Sequence, residues 1–269
     1  MTVSNQSSES ASQERLTLAI RLAKEAGAIQ RERYESKLDI QTKSAPIDLV
    51  TEVDRQCEAL IIAGIESEVP GDDILAEEGG ARKVDGAVWR WVIDPLDGTV
   101  NFAHGFPRFC VSIGIEHQGK RHIGVVYDPL LDECYTAIRG QGAFLGERRL
   151  EVSQAKALDS SLVATGFAYD IHKSDVDNIE NFGRMIKAVR GLRRDGSAAL
   201  DLCYVAAGRL DAYWEFKLHP WDVAAGLLIV EEAGGRVSDA SGGPAPASGV
   251  EVVASNGTIH DELLAQLST

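Results

Sequence analysis

A bulky apolar run ends abruptly in two aspartates at Trp91-Val92-Ile93-Asp94-Pro95-Leu96-Asp97-Gly98-Thr99, and nothing else in the chain restricts its fold so tightly. The stretch from Val88 to Ile93 reads as a short buried strand that delivers Asp94 to its end. Pro95 then bends the chain without demanding a hydrogen-bond partner. Asp97 follows at once, so two carboxylates three residues apart can converge on one side of a turn, and the Leu96 carbonyl can point the same way. Hard oxygen ligands of this kind suit Mg²⁺, which binds few carboxylates and completes its octahedron with waters and substrate phosphate. Gly98 and Thr99 would open a short helix whose free N–H groups can receive a phosphate. Asp-Pro and Asp-Gly are each ordinary turn dipeptides. The complete run behind an apolar strand is much harder to obtain from turn chemistry.

Further acidic positions extend the pattern. Glu77-Glu78 follows the apolar Ile74-Leu75-Ala76 and precedes Gly79-Gly80, which holds a carboxylate at a strand end, although such a pair is more often solvated surface. Asp222 stands between Trp221 and an apolar helix expected from Val223, where it can cap the helix and still offer its outer oxygen to a metal. Asp54, in Thr51-Glu52-Val53-Asp54, fits a loose capping box, with aspartate in place of the usual glutamate or glutamine. Gly196-Ser197-Ala198-Ala199, at the start of another helix, is a second possible cradle for an anion or hydroxyl, and equally ordinary helix initiation.

Charge sets limits on partners. Lysine plus arginine total 27 against 41 aspartate plus glutamate, a formal charge of −14. That disfavours a nucleic-acid reader, which needs a basic face. It would also repel a phosphorylated substrate unless divalent cations reverse the local field, while plain solubility through net charge remains an adequate reading. Cys57, Cys110, Cys134 and Cys203 are far apart and show no paired zinc spacing, so buried thiols in a reducing, cytoplasmic compartment are expected. The serine-rich stretch 1–13 has neither the basic start nor the apolar core of a signal peptide or membrane span and reads as a frayed tail.

Along the chain, Leu16, Ala19, Ile20, Ala23 and Ala26 recur at helical spacing between Ser12 and Tyr34, and a second helix is expected from near Thr51 to Pro70-Gly71. The middle reads as β, with Cys110 to Glu116, Ile123 to Tyr127 and Cys134 to Ile138 as strands. Past Val152 helices and strands alternate: helices over Ser197 to Ala207, Val223 to Ala233 and Ile259 to Leu267, and a strand over Val250 to Ala254. The organisation is thus an α+β first half, 14–150, and an α/β second half, 151–269.

On these residues the chain resembles the inositol monophosphatase family. The Asp94-to-Thr99 run matches one family signature and Trp221-Asp222-Val223-Ala224-Ala225-Gly226 a second, with Glu77 upstream and Gly196-Ser197-Ala198 between them. The resemblance covers nearly the whole chain after residue 13. It implies a layered αβαβα sandwich, a homodimer, and two or three Mg²⁺ ions per active site. Glu77, Asp94 and the Leu96 carbonyl would bind one metal, and Asp94, Asp97 and Asp222 a second. Asp54 and Thr99, with Glu77, would orient and activate the attacking water. Gly98 and Thr99 would bind phosphate beside Asp97, while Gly196, Ser197, Ala198 and Glu215 would meet sugar or inositol hydroxyls. Lys43 falls in a matching loop near a third metal position. Pro220 is a departure at a position where members vary, and it bears on the shape of the pocket rather than on a ligand. The implied reaction is hydrolysis of a small phosphorylated polyol or sugar by a metal-activated water, inositol monophosphate foremost, with lithium sensitivity. Histidinol phosphate, fructose 1,6-bisphosphate, other sugar phosphates and 3′-phosphonucleotides are alternative substrates, and a phosphatase-like regulatory binding protein without catalysis is the alternative of another class.

Overall fold

Leu18, Leu22 and Ala26 on the first long helix and Cys57, Ile61 and Ile65 on the second are spaced by four residues, so each set forms one apolar stripe, and both stripes are buried. Burying side chains such as Leu22, Ile61 and Ile65 contributes about 1.5–3 kcal/mol each. The computed structural model describes residues 3–267. In chain order its first half comprises α1 (Val3–Arg33), β1 (Ile40–Thr42), β2 (Leu49–Thr51), α2 (Glu52–Glu68), β3 (Asp73–Ala76), β4 (Gly80–Arg82), β5 (Trp89–Asp97), α3 (Thr99–Ala103), β6 (Cys110–His117), β7 (Lys120–Asp128), β8 (Glu133–Ile138), β9 (Gly142–Leu145) and β10 (Arg148–Arg149). The second half comprises β11 (Leu162–Thr165), α4 (Ile179–Ala188), β12 (Gly191–Arg193), α5 (Ala198–Ala206), β13 (Ala212–Phe216), α6 (Pro220–Glu232), β14 (Arg236–Ser238), β15 (Glu251–Ser255) and α7 (His260–Leu267).

These elements stack in five layers. An eight-stranded sheet of order β10-β9-β8-β7-β6-β5-β3-β4 carries α1 and α2 on one face, packed on Trp91, Ile93, Ile113 and Val125. Its other face meets α5 and α6, which in turn cover a five-stranded sheet of order β12-β11-β13-β15-β14. The outer face of that second sheet, with Val163, Trp214 and Val253, is closed by α4 and α7. Each amphipathic element thereby finds a partner for its apolar face, and the result is the αβαβα sandwich the sequence led us to expect.

One stretch differs from its sequence reading. Residues 3–13, taken for a tail, are the first turns of α1, while Met1 and Thr2 lie outside the described residues. The reason is tertiary: Ser12 is buried with its hydroxyl 2.9 Å from His122 Nε2, and Arg15 donates twice to Asp72, at 2.8 and 2.7 Å. The weak helix propensity of the stretch's serines is overridden by these anchors.

Candidate active site

A regular strand would turn Asp94 and Asp97, three residues apart, to opposite faces. The sequence suggested that a turn solves this, but β5 runs on through Asp97. Its register with β6 shifts between Asp94↔Ser112 and Asp97↔Cys110, so β5 carries one residue more than its partner there. That bulge resets the alternation and points both carboxylates the same way. Pro95, which has no N–H for the ladder, sits in the bulge, and Gln30 Nε2 pins its carbonyl at 2.8 Å. Asp94 Oδ1 accepts the Leu96 amide at 2.9 Å, which leaves Oδ2 for other partners.

Glu77, Asp94, Leu96, Asp97, Gly98, Thr99 and Asp222 all line one cavity of about 90 Å³, and Gly196, Ala198 and Glu215 line its far side. Ser197 stands behind that wall: its hydroxyl donates to Asp97 Oδ2 at 2.7 Å, beside the Ala199 amide at 2.8 Å. Gly98 has φ +95°, a backbone that only glycine adopts freely, and it opens the five-residue helix α3. Asp54, fully buried on α2, reaches the cavity wall through Thr99, whose hydroxyl lies 2.8 Å from Asp54 Oδ1 and 3.1 Å from the Leu96 carbonyl. The capping role of Asp54 is also present, on the opposite oxygen: Thr51 N and Oγ1 both donate to Oδ2, at 2.9 and 2.6 Å.

Asp222 is not the N-cap of its helix. Because α6 begins at Pro220, Asp222 is its third residue, and its Oδ2 accepts the His219 amide at 2.7 Å. Proline is at home in the first helical turn, where its missing N–H costs nothing. What brings Asp222 to Asp94 is a pair of glycines facing each other on β6 and β7, Gly114↔Gly124. A Cβ on Gly114 would stand 2.6 Å from Ala224 Cβ, and one on Gly124 2.7 Å from the Ala225 carbonyl. Helix α6 therefore rests directly on bare sheet backbone.

The electrostatics of the cavity are those of crowded acids. Burial, then the like charges of Glu77, Asp97 and Asp222, hold the Asp94 carboxyl well above its ordinary range. Asp222 is raised in the same way by burial and Glu77, and Glu77 is pushed up to about 7 by burial in spite of Lys43. Asp97 is raised by burial, against the Ser197 hydroxyl and the Ala199 and Ala198 amides that favour its charged form. Burial also raises Asp54. Lys43 Nζ lies 2.7 Å from Glu77 Oε1 and also donates to Glu78. Burial works against its charge, but the two glutamates outweigh that and raise its pKa.

Among the described residues no three acidic, imidazole or thiol side chains are drawn together tightly enough to hold an ion as they stand. Lys43 already occupies one of the carboxylates, Glu77. The donor set nevertheless fits a hard divalent cation: all of it is oxygen, it is largely sequestered from water, and its raised proton affinities are the strain that a cation relieves.

Sequence reasoning missed several residues of the wall. Gly166, Phe167, Ala168, Tyr169, Arg194, Lys217 and His219 also line the cavity. Most lie in loops without periodicity, which left no signal. Gly166 is required because a Cβ there would fall 2.1 Å from Glu215 Oε2. Glu215 itself, raised to about 7 by burial, accepts a hydrogen bond from the Tyr213 hydroxyl.

This geometry, a bulged strand of paired aspartates inside a five-layer sandwich, is that of a metal-assisted phosphatase fold. The chain belongs to the inositol monophosphatase family, whose model matches residues 11–269. It is 48% identical over 224 residues to an inositol-1-monophosphatase of Synechocystis, covering 83% of this chain and 78% of that one. It is also 46% identical over 235 residues to the Nus factor SuhB of Pseudomonas aeruginosa, covering 84% and 86%. Among solved structures, inositol monophosphatase from Anabaena superposes with a TM-score of 0.86 at 40% identity, over 95% of both chains. SaIMPase-II bound to inositol monophosphate gives 0.78 at 32% identity, over 93% of this chain and 91% of that one. An IMPase/NADP phosphatase complexed with Mg²⁺ and phosphate gives 0.85 at 25% identity, over 96% and 97%.

Proposed function

We propose that this chain hydrolyses small phosphate monoesters in a Mg²⁺-dependent reaction, with inositol monophosphate as the foremost substrate. The observation that carries the reading is the convergence of Glu77, Asp94, Asp97 and Asp222 on one cavity whose wall also holds Thr99, hydrogen-bonded to the buried Asp54 behind it. Glu77, Asp94 and Asp222, with Asp97 and the Leu96 carbonyl, would hold the metal ions. Mg²⁺, when bound, supplies Lewis acidity that makes hydroxide available near neutral pH and offsets charge on the leaving oxygen. Thr99 gives its own hydrogen to Asp54, so its oxygen lone pairs can accept from a water and aim that water at phosphorus. The proton it takes up can pass on to Asp54, a carboxylate whose burial favours its protonated form. The amides of Gly98 and Thr99 would hold the transferring group, and Glu215 and Ala198 the hydroxyls of the alcohol.

The Mg²⁺ and phosphate in one related structure and the inositol monophosphate in another support this assignment. The test is phosphate release from inositol 1-phosphate by the purified chain, with Mg²⁺ and then with chelator. Release that needs Mg²⁺ is expected; no release, there or on histidinol phosphate and fructose 1,6-bisphosphate, would overturn the reading.

The relatives named Nus factor SuhB favour a second reading, in which the chain also acts as a factor of that kind. Its charge of −14 argues that such a role would run through protein partners rather than through direct contact with nucleic acid. Filter binding to RNA at physiological salt tests the last point, with no retention expected. A second copy of this chain is the partner we propose for assembly: Phe106, Val176, Ile179 and Ile186 are apolar and more than half exposed. Sedimentation at two concentrations would show whether they pair.

A further inference from the structure

The Gly98–Thr99 turn and the Gly196–Ala198 turn come from different sheets. The first ends β5 of the eight-stranded sheet, and the second follows β12 of the five-stranded one. For a phosphate monoester to react, its phosphoryl group and its alcohol must be seated at both turns at once, so their separation has to be fixed. One tie is Asp97 itself, through Ser197 and Ala199. Another is a side chain that stands behind the cavity wall.

Asn101, on α3, donates from Nδ2 to the Arg108 carbonyl at 2.7 Å, to the Asp195 carbonyl at 2.8 Å and to the Gly196 carbonyl at 3.3 Å. An amide nitrogen has two hydrogens, so one serves Arg108 and the other is shared across Asp195 and Gly196. This clasp touches both turns in question. The Arg108 carbonyl is 2.8 Å from where a Cβ on Gly98 would stand, and a Cβ on Gly196 would come within 3.2 Å of Asn101 Nδ2. Arg108 adds a second bond across the same seam, with Nη2 3.0 Å from Asp201 Oδ1 and its guanidinium 4.0 Å over the Tyr204 ring.

We propose that Asn101 is a positioning residue, a clasp that sets the distance between the phosphoryl seat at Gly98–Thr99 and the hydroxyl seat at Gly196–Ala198. The inference rests on the phosphatase reading above. It predicts that loss of the clasp harms substrates that must reach both seats and spares a ligand that needs only the first.

The test compares Asn101→Asp with wild type, both saturated with Mg²⁺. Aspartate keeps the shape but loses both hydrogens and sets a carboxylate against three carbonyls. The turnover of inositol 1-phosphate, as kcat/KM, is expected to fall roughly a hundredfold, the scale of a misplacement of about 1 Å. The inhibition constant of inorganic phosphate, which occupies only the phosphoryl seat, is expected to hold. An unchanged kcat/KM, or a phosphate constant that weakens in step with it, would overturn the clasp; Asn101→Ala repeats the comparison should the aspartate variant not fold. Failure of the phosphatase reading looks different: the wild-type chain itself would release no phosphate, and the inference would fall with it.

Discussion

The two oxygens of Asp54 face different tasks: Oδ1 receives the Thr99 hydroxyl at 2.8 Å while Oδ2 receives the Thr51 amide at 2.9 Å. One carboxylate thus fastens the start of α2 and polarises a hydroxyl on the cavity wall. The two roles have different readouts, activity for the one and stability for the other. Asp54→Asn keeps an oxygen for one partner but cannot accept at both positions and take up a proton. Its kcat is expected to fall by roughly 10²–10⁴-fold, the usual worth of a positioned base. The capping loss should cost only about 1 kcal/mol. Steady-state kinetics and a urea midpoint on the same preparation check both numbers, and a variant with wild-type kcat would leave Asp54 a cap alone.

Crowded acids make the metal-free protein sensitive to pH. Glu77 stands at about 7 in the fold against an ordinary 4.5, and Asp94 and Asp222 are raised with it, burial being the first cause in each. A carboxyl whose folded pKa is raised binds more protons folded than unfolded, so stability falls as pH rises from its ordinary value through the raised one. Between about pH 4.5 and 7 the chelated protein should therefore lose melting temperature steadily. Mg²⁺ should flatten that slope, because cation binding favours the ionised cluster. Thermal melts at several pH values, with chelator and with Mg²⁺, would read this directly; parallel curves would mean that the cluster does not bind the ion.

The contiguous parts of this site were legible in the sequence, and the dispersed parts were not. Asp94 to Thr99 stand in one run behind an apolar strand, and Glu77 and Asp222 each adjoin an apolar segment, so residue type and spacing carried them. The long helices and the central strands were legible for a similar reason, apolar residues at helical spacing in the one and short apolar, β-branched runs in the other. The bulge at Pro95 was not, because alternation alone cannot tell a strand that ends from one that slips a residue. Nor were Tyr169 and Arg194, whose loops have no period, or Asn101, whose partners lie more than ninety positions away at Asp195 and Gly196. The start of α1 was missed because its anchors, His122 and Asp72, are distant in sequence as well.

Lys43 holds Glu77 and Glu78 in the way a cation would, on a side chain about a quarter exposed. A metal that uses Glu77 must displace it. Lys43→Met should then bind Mg²⁺ about two- to fivefold more tightly, the equivalent of about 0.5–1 kcal/mol for a partly exposed ion pair. Titration calorimetry of metal into substrate-free protein gives the answer without recourse to activity. Weaker binding would instead show that Lys43 assists the ion.

The glycine pair beneath α6 offers the most direct test of how the fold builds the site. Gly114 and Gly124 are not part of the cavity lining, yet their bare backbone lets Ala224 and Ala225 settle onto the sheet, two and three residues past Asp222. A methyl group on Gly124 would meet the Ala225 carbonyl at 2.7 Å, and backbone cannot swing aside as a side chain can. Gly124→Ala must therefore lift α6, with a cost of about 1–3 kcal/mol, as for other overpacked cores. Lifting α6 also carries Asp222 away from Asp94, so Mg²⁺ affinity should fall alongside stability. Gly71, with nothing within 4 Å of its would-be Cβ, serves as the control, since Gly71→Ala should leave metal binding unchanged. If Gly124→Ala lowered stability but bound Mg²⁺ as tightly as wild type, the seating of α6 would be a matter of packing alone, and Asp222 would owe its place to the Pro220 turn and the His219 amide instead.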